Sequence, residues 1–270
     1  MQTILEDMKK IFLFLVFALT VSVSKAWSTR CDEAIFLLSV KYMTPQAKAL
    51  MDAHFGQSYR DDIQYLYALE KKNAATHSQE IHFVHLDKNL KLAEVQGDDA
   101  VKALESALEV IRNHKSHSAG EVKKAMRIAA NLVCDIHNFA HYRIEGIEHS
   151  YHDFALYRQR WEYGSKTDAK EAHKWSTMWS SYASRHTGFS PALWAEDMEL
   201  CLGDKFKEYT QGNLHEWVEV IGAKSASYLA VITPDCVMKS GAFSELEDVN
   251  YEMMVRASFR FAALLNEATK

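Results

Sequence analysis

The sequence predicts an all-α fold, and three observations support this prediction. Apolar residues recur at the three- and four-residue spacing of amphipathic helices along most of the chain. Only 3 prolines and 10 glycines interrupt its 270 residues, and these are the residues that most often end helices. No convincing run alternates between apolar and polar side chains in the way that a half-buried strand does. We therefore expect helices packed on helices in a single domain.

The predicted helices follow one another along the chain. Pro45 is placed to open the second of them, because its fixed φ suits the first turn of a helix. Residues 142–165 are less regular and rich in histidine, tyrosine and charged side chains, so a short hairpin stays open as an alternative there. The helical stripes fall at residues 34–42, 45–51, 101–111, 122–136 and 251–268.

The first 26 residues have the layout of a secretory signal peptide. Two lysines precede an apolar run at residues 11–23, and small residues follow up to Ala26. The run is shorter than a membrane span requires. We expect cleavage after Ala26 and a secreted or periplasmic domain of residues 27–270, beginning at Trp27 and without stable membrane insertion.

The net charge and the positions of the cysteines exclude some classes of protein function. The net charge of −5 gives no basic footprint for general nucleic-acid binding, although a metal-lined site supplies its own positive charge. Cys31, Cys134, Cys201 and Cys236 could form two disulfides in an exported protein, with three possible connectivities. Their spacing excludes a zinc ribbon built on paired CxxC motifs.

The segment CDIHNFAH, residues 134–141, concentrates potential metal ligands. Asp135 and Asn131 lie four residues apart, and therefore on one face of a helix. A short irregular turn after the helix can bring His141 back toward that face. The segment therefore predicts one side of a metal site.

Two upstream segments offer further ligands. The segment SYRDDIQ contains Asp61 and Asp62, and the segment IHFVH contains His82 and His85. Oxygen and imidazole ligands without thiolates are typical of hydrolytic zinc sites. Each of these residues taken alone is more often a solvated or hydrogen-bonded side chain than a ligand, so the prediction depends on the whole set.

Taken together, the segments resemble the S-one/P-one type zinc nucleases. Members of that family are secreted, all-helical, single-domain enzymes with three zinc ions, and they are related to the zinc-dependent phospholipases C. The resemblance runs from Trp27 to about Glu267 and implies a fold of the phospholipase C/zinc nuclease type. The segments that carry it are KYMTPQAKALMDAHFG, SYRDDI, IHFVH, NLVCDIHNFAH and RFAALLNE.

The resemblance assigns zinc ligands to five positions, with up to three ions expected. Trp27 matches the residue whose free α-amino group and carbonyl bind one zinc. Asp61 and His82 match further ligands. Asp135 matches the carboxylate that bridges two metals, and His141 matches the ligand six residues beyond it.

Other ligand positions depart from the family pattern. Asp32 and Asn131 stand where the family has histidines; a carboxylate can still bind zinc, whereas a neutral amide is a poor ligand. The residues preceding Asp32 and Asp135 are cysteines where the family has glycines. The resemblance therefore implies a disulfide between Cys31 and Cys134, which leaves Cys201 and Cys236 as the second pair.

The family's last ligand pair has two possible registers in this chain. One uses His215 and Glu219, which lie four residues apart. The other fits the neighbouring sequence better and places Ser176 and Ser180 at the ligand positions. Side chains that could substitute in space are His149, His152 and His173.

The resemblance implies a metal-dependent phosphodiesterase that cleaves single-stranded nucleic acid or nucleotides. In that reading Asp61 and Asp135 are catalytic: Asp61 holds the attacking water, and Asp135 fixes the distance between two metals. Phe83 matches an aromatic residue that stacks on a nucleobase. The alternatives are a phospholipase C-like phosphoesterase, and a binding protein on the same fold that has lost its activity.

Overall fold

The computed structural model describes residues 27–56, 79–162, 165–179 and 188–270. The predicted signal peptide and Asp61 lie outside these residues. The described helices are α1 (Thr29–Tyr42), α2 (Pro45–Phe55), α3 (Ala100–Arg112), α4 (Ala119–Ile136), the single turn α5 (Trp175–Thr177), α6 (Pro191–Leu202), α7 (Phe206–Tyr209), α8 (Leu214–Leu229) and α9 (Ser240–Ala268). Short 3₁₀ turns cover Gln79–His82, His114–Ser116, Phe139–His141, Glu148–Tyr151 and Gly203–Lys205.

The all-α prediction is wrong, because the mostly helical fold also contains two small sheets. Strands β1 (Val84–Leu86) and β2 (Tyr142–Ile144) form a parallel pair. Strands β3 (Ala155–Glu162) and β4 (Ser165–Lys174) form an antiparallel hairpin, and β5 (Val237–Met238) joins β3 in parallel. Three-residue strands are too short to show an alternating pattern in the sequence. The hairpin that the sequence left open exists, but it reaches beyond residue 165.

The helical stripes predicted from the sequence all lie within helices of the structure. Pro45 opens α2, and the side chain of Thr44 caps that helix by accepting from the backbone N–H of Ala47. Helix α4 begins at a capping box formed by Ser118 and Glu121, which satisfies two backbone donors that would otherwise have no partner. The last helix is longer than its predicted stripe, because it begins at Ser240.

The small parallel sheet has one buried face and one face lined by polar side chains. Its register pairs Val84 with Tyr142, His85 with Arg143 and Leu86 with Ile144. The first and last pairs are buried in the core, whereas the His85–Arg143 pair is only partly buried. Because side chains alternate along a strand, this register places the polar pair on the opposite face from the core.

Helix α8 packs closely against the buried face of this sheet. A Cβ atom at Gly222 would lie 2.1 Å from Cδ1 of Leu86 and 3.1 Å from the ring of Tyr142. Only glycine permits such a close approach of a helix backbone to a strand.

One continuous apolar cluster joins the described elements, from Trp27 to Ala268. Trp27 is fully buried, and its indole N–H donates to Oδ1 of Asn250 at 2.8 Å. This contact ties the start of the described chain to α9. None of the helices in the described part of the chain is long and apolar enough to cross a membrane.

Candidate metal-binding site

Three of the residues predicted as metal ligands meet in the structure. Nδ1 of His82 lies 2.8 Å from Oδ2 of Asp135, and Nδ1 of His141 lies 3.3 Å from Oδ1 of the same carboxylate. His82 and Asp135 are 53 residues apart in the sequence. The carboxylate of Asp135 thus stands between two imidazoles, and we call these three residues the His–Asp–His cluster.

Local structure explains why the cluster forms. Asp135 lies in the last turn of α4, and His141 ends the 3₁₀ turn that leads into β2. His82 ends the 3₁₀ turn that precedes β1. Because β1 and β2 pair in parallel, the two chain segments that enter the sheet arrive side by side. Nδ1 of His141 therefore also reaches the backbone oxygen of His82, at 2.8 Å.

These contacts fix the positions of the ring protons. A carbonyl or carboxylate oxygen can only accept, so Nδ1 of both His82 and His141 must carry the proton. Nε2 is the other ring nitrogen of each histidine. Asp135 and His141 are 3% and 1% exposed, whereas His82 is half-buried, so access to the cluster is from the His82 side.

The donor chemistry of the cluster fits zinc, which accepts imidazole nitrogen and carboxylate oxygen. The arrangement is more specific than the sequence implied. The ring of His82 is hydrogen-bonded to Asp135, and the ring of His141 is hydrogen-bonded to the backbone oxygen of His82 and lies 3.3 Å from the same carboxylate. The described residues contain no group of three or more His, Cys, Asp or Glu side chains arranged around one metal position. In this arrangement Asp135 orients the ring of His82, the backbone oxygen of His82 orients the ring of His141, and the Nε2 atom of each ring is the one that could bind a metal.

The other predicted ligands that the structure describes lie on α1 and α4 or just before α1. Trp27 and Asp32 are both buried near the start of α1. Asn131 lies on α4 one turn before Asp135, and its amide Nδ2 donates to the backbone oxygen of Arg127 at 3.0 Å. This hydrogen bond turns the amide group toward its own helix. Asp61 lies outside the described residues.

In both alternative registers for the last ligand pair, the described side chains contact residues outside the His–Asp–His cluster. His215 pairs with Glu105 at 2.8 Å, and Glu219 pairs with Lys91 at 2.6 Å, so these two side chains bind different neighbours at the surface. Ser176 donates its hydroxyl to Asp153 at 2.8 Å. Ser180 lies outside the described residues.

The three histidines that were considered as spatial substitutes have separate environments. Nε2 of His149 lies 2.9 Å from the backbone oxygen of Leu229. His152 is exposed, and His173 is buried with Nε2 at 3.6 Å from a carboxylate oxygen of Glu171.

The predicted disulfides are not formed in this structure. All four cysteines lie within the described residues and are present as thiols. Cys31 and Cys134 are both buried, and Sγ of Cys31 lies 3.0 Å from Oγ of Ser28. Cys201 is exposed and Cys236 is partly buried.

Phe83 has two neighbours on its ring. The imidazole of His141 stacks against it with 5.4 Å between ring centroids and 22° between planes. The guanidinium of Arg143 lies over the ring, 3.9 Å from its centroid. A nucleobase that stacked on Phe83, as the sequence predicts, would have to share the ring with these two side chains.

The sequence reasoning missed Arg143 and its partner Glu80. Nη1 of Arg143 donates to both carboxylate oxygens of Glu80, at 2.8 and 2.7 Å. His85 also lies 3.4 Å from Glu80, and burial followed by the charge of Arg143 lowers its pKa below the ordinary 6.5. The signal that could have found Arg143 is a polar residue between two apolar ones, at positions 142–144 and likewise at positions 84–86 of the neighbouring strand.

His137 belongs to the core and not to the cluster. Its Nδ1 lies 2.8 Å from the backbone oxygen of Val133, and its Nε2 lies 3.0 Å from Nη1 of Arg260. Both ring nitrogens are therefore occupied.

Comparison with known proteins adds no family to this picture. No protein-family model matches the chain, and no curated protein matches it at a significant level.

Proposed function

We propose that the protein is a metal-dependent phosphodiesterase that cleaves phosphoester bonds of single-stranded nucleic acid or nucleotides. One observation supports this proposal above all. His82 was selected from one stretch of sequence and Asp135 and His141 from another, and the three lie within hydrogen-bonding distance of one another. Such short distances between the predicted ligands are expected of a metal-binding site and not of three unrelated side chains.

Each residue of the cluster has a defined task in this proposal. His82 and His141 would bind the metal through Nε2, because their Nδ1 atoms donate to Asp135 and to a backbone oxygen. Asp135 holds the rings in place and raises their basicity, as carboxylates beside metal-bound histidines do. A bound zinc would lower the pKa of a coordinated water and polarise a phosphoryl oxygen.

The proposed compartment is the exterior or the periplasm. It rests on the signal-like residues 1–26, and it matters for the site because cleavage after Ala26 would give Trp27 a free α-amino group. That amine could then serve as an additional metal ligand. A tag or an uncleaved leader would block it.

The experiment compares metal content and hydrolysis in protein that begins at Trp27. Zinc per chain is counted by mass spectrometry, and hydrolysis of single-stranded DNA, RNA and phosphatidylcholine is measured with and without chelator. We expect at least one zinc per chain, chelator-sensitive cleavage of nucleic acid, and loss of both in the His82→Gln variant. Zinc-free protein without any phosphoesterase activity would contradict the proposal, and cleavage of lipid alone would move the substrate to the phospholipase C class.

A second candidate is a binding protein on the same fold without catalytic activity. The observation that favours it is the absence, among the described residues, of a group of three side chains arranged around one metal position. The amide of Asn131, hydrogen-bonded to its own helix, points in the same direction. Zero zinc in a correctly processed and folded chain supports this candidate.

A further inference from the structure

The polar face of the small sheet carries a partly buried guanidinium group that two neighbouring side chains hold in place. Arg143 lies on β2 next to His85 of β1. Its Nη1 donates to both oxygens of Glu80, and its plane lies over the ring of Phe83. An arginine fixed by an ion pair and by a ring loses little conformational entropy when it binds a ligand.

One edge of this guanidinium has no acceptor in the structure. Glu80 occupies Nη1 only, and no described residue accepts a hydrogen bond from Nη2 or Nε. Nε is a buried atom without a partner. Nε and Nη2 form the side-on fork with which arginine binds carboxylates and phosphates through two parallel hydrogen bonds. A buried donor without an acceptor is unfavourable, so an oxyanion at this fork would be stabilised.

The fork lies close to the His–Asp–His cluster. Phe83 connects the two, because its ring contacts the guanidinium of Arg143 and the imidazole of His141. Glu80 neutralises the charge of Arg143 in part, and therefore the arginine acts through directed hydrogen bonds more than through long-range attraction. Directed bonds suit the two non-bridging oxygens of a phosphodiester group.

We propose that Arg143 forms a phosphate subsite beside the metal-binding cluster. It takes a phosphodiester group of single-stranded nucleic acid that neighbours the one to be cleaved. This inference rests on the proposed function, since it names how that site holds its substrate. In this proposal Arg143, and not Phe83, binds the substrate. The ring of Phe83 holds the guanidinium of Arg143 in position.

The test measures binding separately from hydrolysis. Anisotropy of a fluorescent oligothymidylate of eight nucleotides is recorded in chelator at several salt concentrations. We expect Arg143→Gln to weaken binding about tenfold, the equivalent of one charge-assisted hydrogen bond. It also lowers the slope of log affinity against log salt by about 0.7, the value for one phosphate contact on a single strand.

Two further variants make the result specific. Arg143→Lys keeps the charge without the fork, so it retains the salt slope and loses affinity. Arg112→Gln is the matched control, because Arg112 also pairs with a glutamate, Glu109, but on the exposed surface of α3; it leaves both quantities unchanged. Circular dichroism checks the fold of each variant, and Arg143→Lys carries the test if Arg143→Gln does not fold.

The outcomes separate this inference from the proposed function. Unchanged affinity and slope in Arg143→Gln, or no binding by the parent protein, overturn the subsite even if the zinc-loaded protein cleaves DNA. Binding that depends on Arg143, in a protein that cleaves nothing with zinc, supports the subsite and refutes the hydrolase. Equal dependence on Arg143 for inorganic phosphate and for the oligonucleotide would reduce the site to a general anion site and overturn its assignment to nucleic acid.

Discussion

His141 and His137 stand four residues apart in one motif, and their surroundings are opposite in kind. The ring of His141 turns Nδ1 toward two acceptors, the carboxylate of Asp135 and a backbone oxygen. The ring of His137 lies between a backbone oxygen and the guanidinium of Arg260, so both of its nitrogens are occupied. Both rings are buried, and therefore burial does not separate a candidate ligand from a structural histidine. The atoms that each ring contacts do distinguish the two histidines.

The region around His137 is a buried polar network, in which the imidazole contacts a backbone oxygen and a guanidinium group. Burial, followed by the charge of Arg260, holds the pKa of His137 well below 6.5. Burial also lowers the pKa of Arg260 to about 9, which leaves it protonated at neutral pH. Arg260 donates through Nε to the backbone oxygen of Tyr209 at 2.9 Å and lies over the ring of Trp217. The neutral imidazole is therefore an acceptor for a buried cation.

The largest expected effect comes from removing the carboxylate of the cluster. Asp135→Asn replaces the acceptor for the imidazole of His82, and the carboxylate beside His141, with an amide that can accept through one atom only. We expect zinc affinity and hydrolysis to fall by about 100-fold, the upper range for the loss of an orienting carboxylate. Isothermal titration with zinc and a single-stranded DNA cleavage assay measure the two quantities. Asp153→Asn, at an exposed carboxylate that binds Ser176, should change neither.

The network around His137 should instead respond in stability. Arg260→Ala leaves Nε2 of His137 and the backbone oxygen of Tyr209 without a donor. We expect a loss of about 3–5 kcal/mol in the free energy of unfolding, the sum of two buried acceptors without partners and lost packing. Urea denaturation measures it. Arg256→Ala is the control, because Arg256 pairs with Glu252 nearer the surface, and an effect as large as that of Arg260→Ala would contradict the distinction.

The pH dependence of the free energy of unfolding tests the surroundings of His137, in contrast to those of His141. Because the pKa of His137 is lower in the folded state than its ordinary 6.5, the unfolded chain binds more protons as the pH falls below 6.5. Stability is then fully present above pH 6.5 and declines below it, by up to about 1.4 kcal/mol per pH unit for this group. Urea denaturation at pH 7.5 and pH 5.5 should show a smaller loss in His137→Gln than in the parent protein. An equal or steeper loss in the variant would refute the neutral state of His137.

The sequence was informative about the parts of this molecule that depend on short-range patterns. Amphipathic stripes over eleven or more residues predicted α3, α4 and much of α9, because helical periodicity repeats several times within them. The strands β1 and β2 were missed, since three residues give a single polar position between two apolar ones. Their pairing joins segments that are far apart in the chain, and no local pattern encodes it.

The candidate site also contains residues that the sequence predicted and residues that it did not. The cluster residues His82, Asp135 and His141 were selected through a resemblance that names residue types at set spacings. Arg143 was not selected, because its role comes from a register between two strands and from Glu80, 63 residues away. The partner of His137 is Arg260, 123 residues away, so no local pattern in the sequence could say what holds this ring.

The smallest expected effect concerns a third kind of histidine, at the surface. His215 pairs with Glu105, and both side chains are largely exposed; Glu219, its supposed co-ligand, pairs with Lys91. Exposed ion pairs contribute little to stability, and these two contacts draw the proposed ligands toward different neighbours. His215→Ala should therefore leave zinc content, cleavage rate and thermal midpoint unchanged, measured beside His82→Gln under the same conditions. A loss of zinc in His215→Ala would place the missing ligand pair on α8, and the distinction between cluster and surface histidines would then fail.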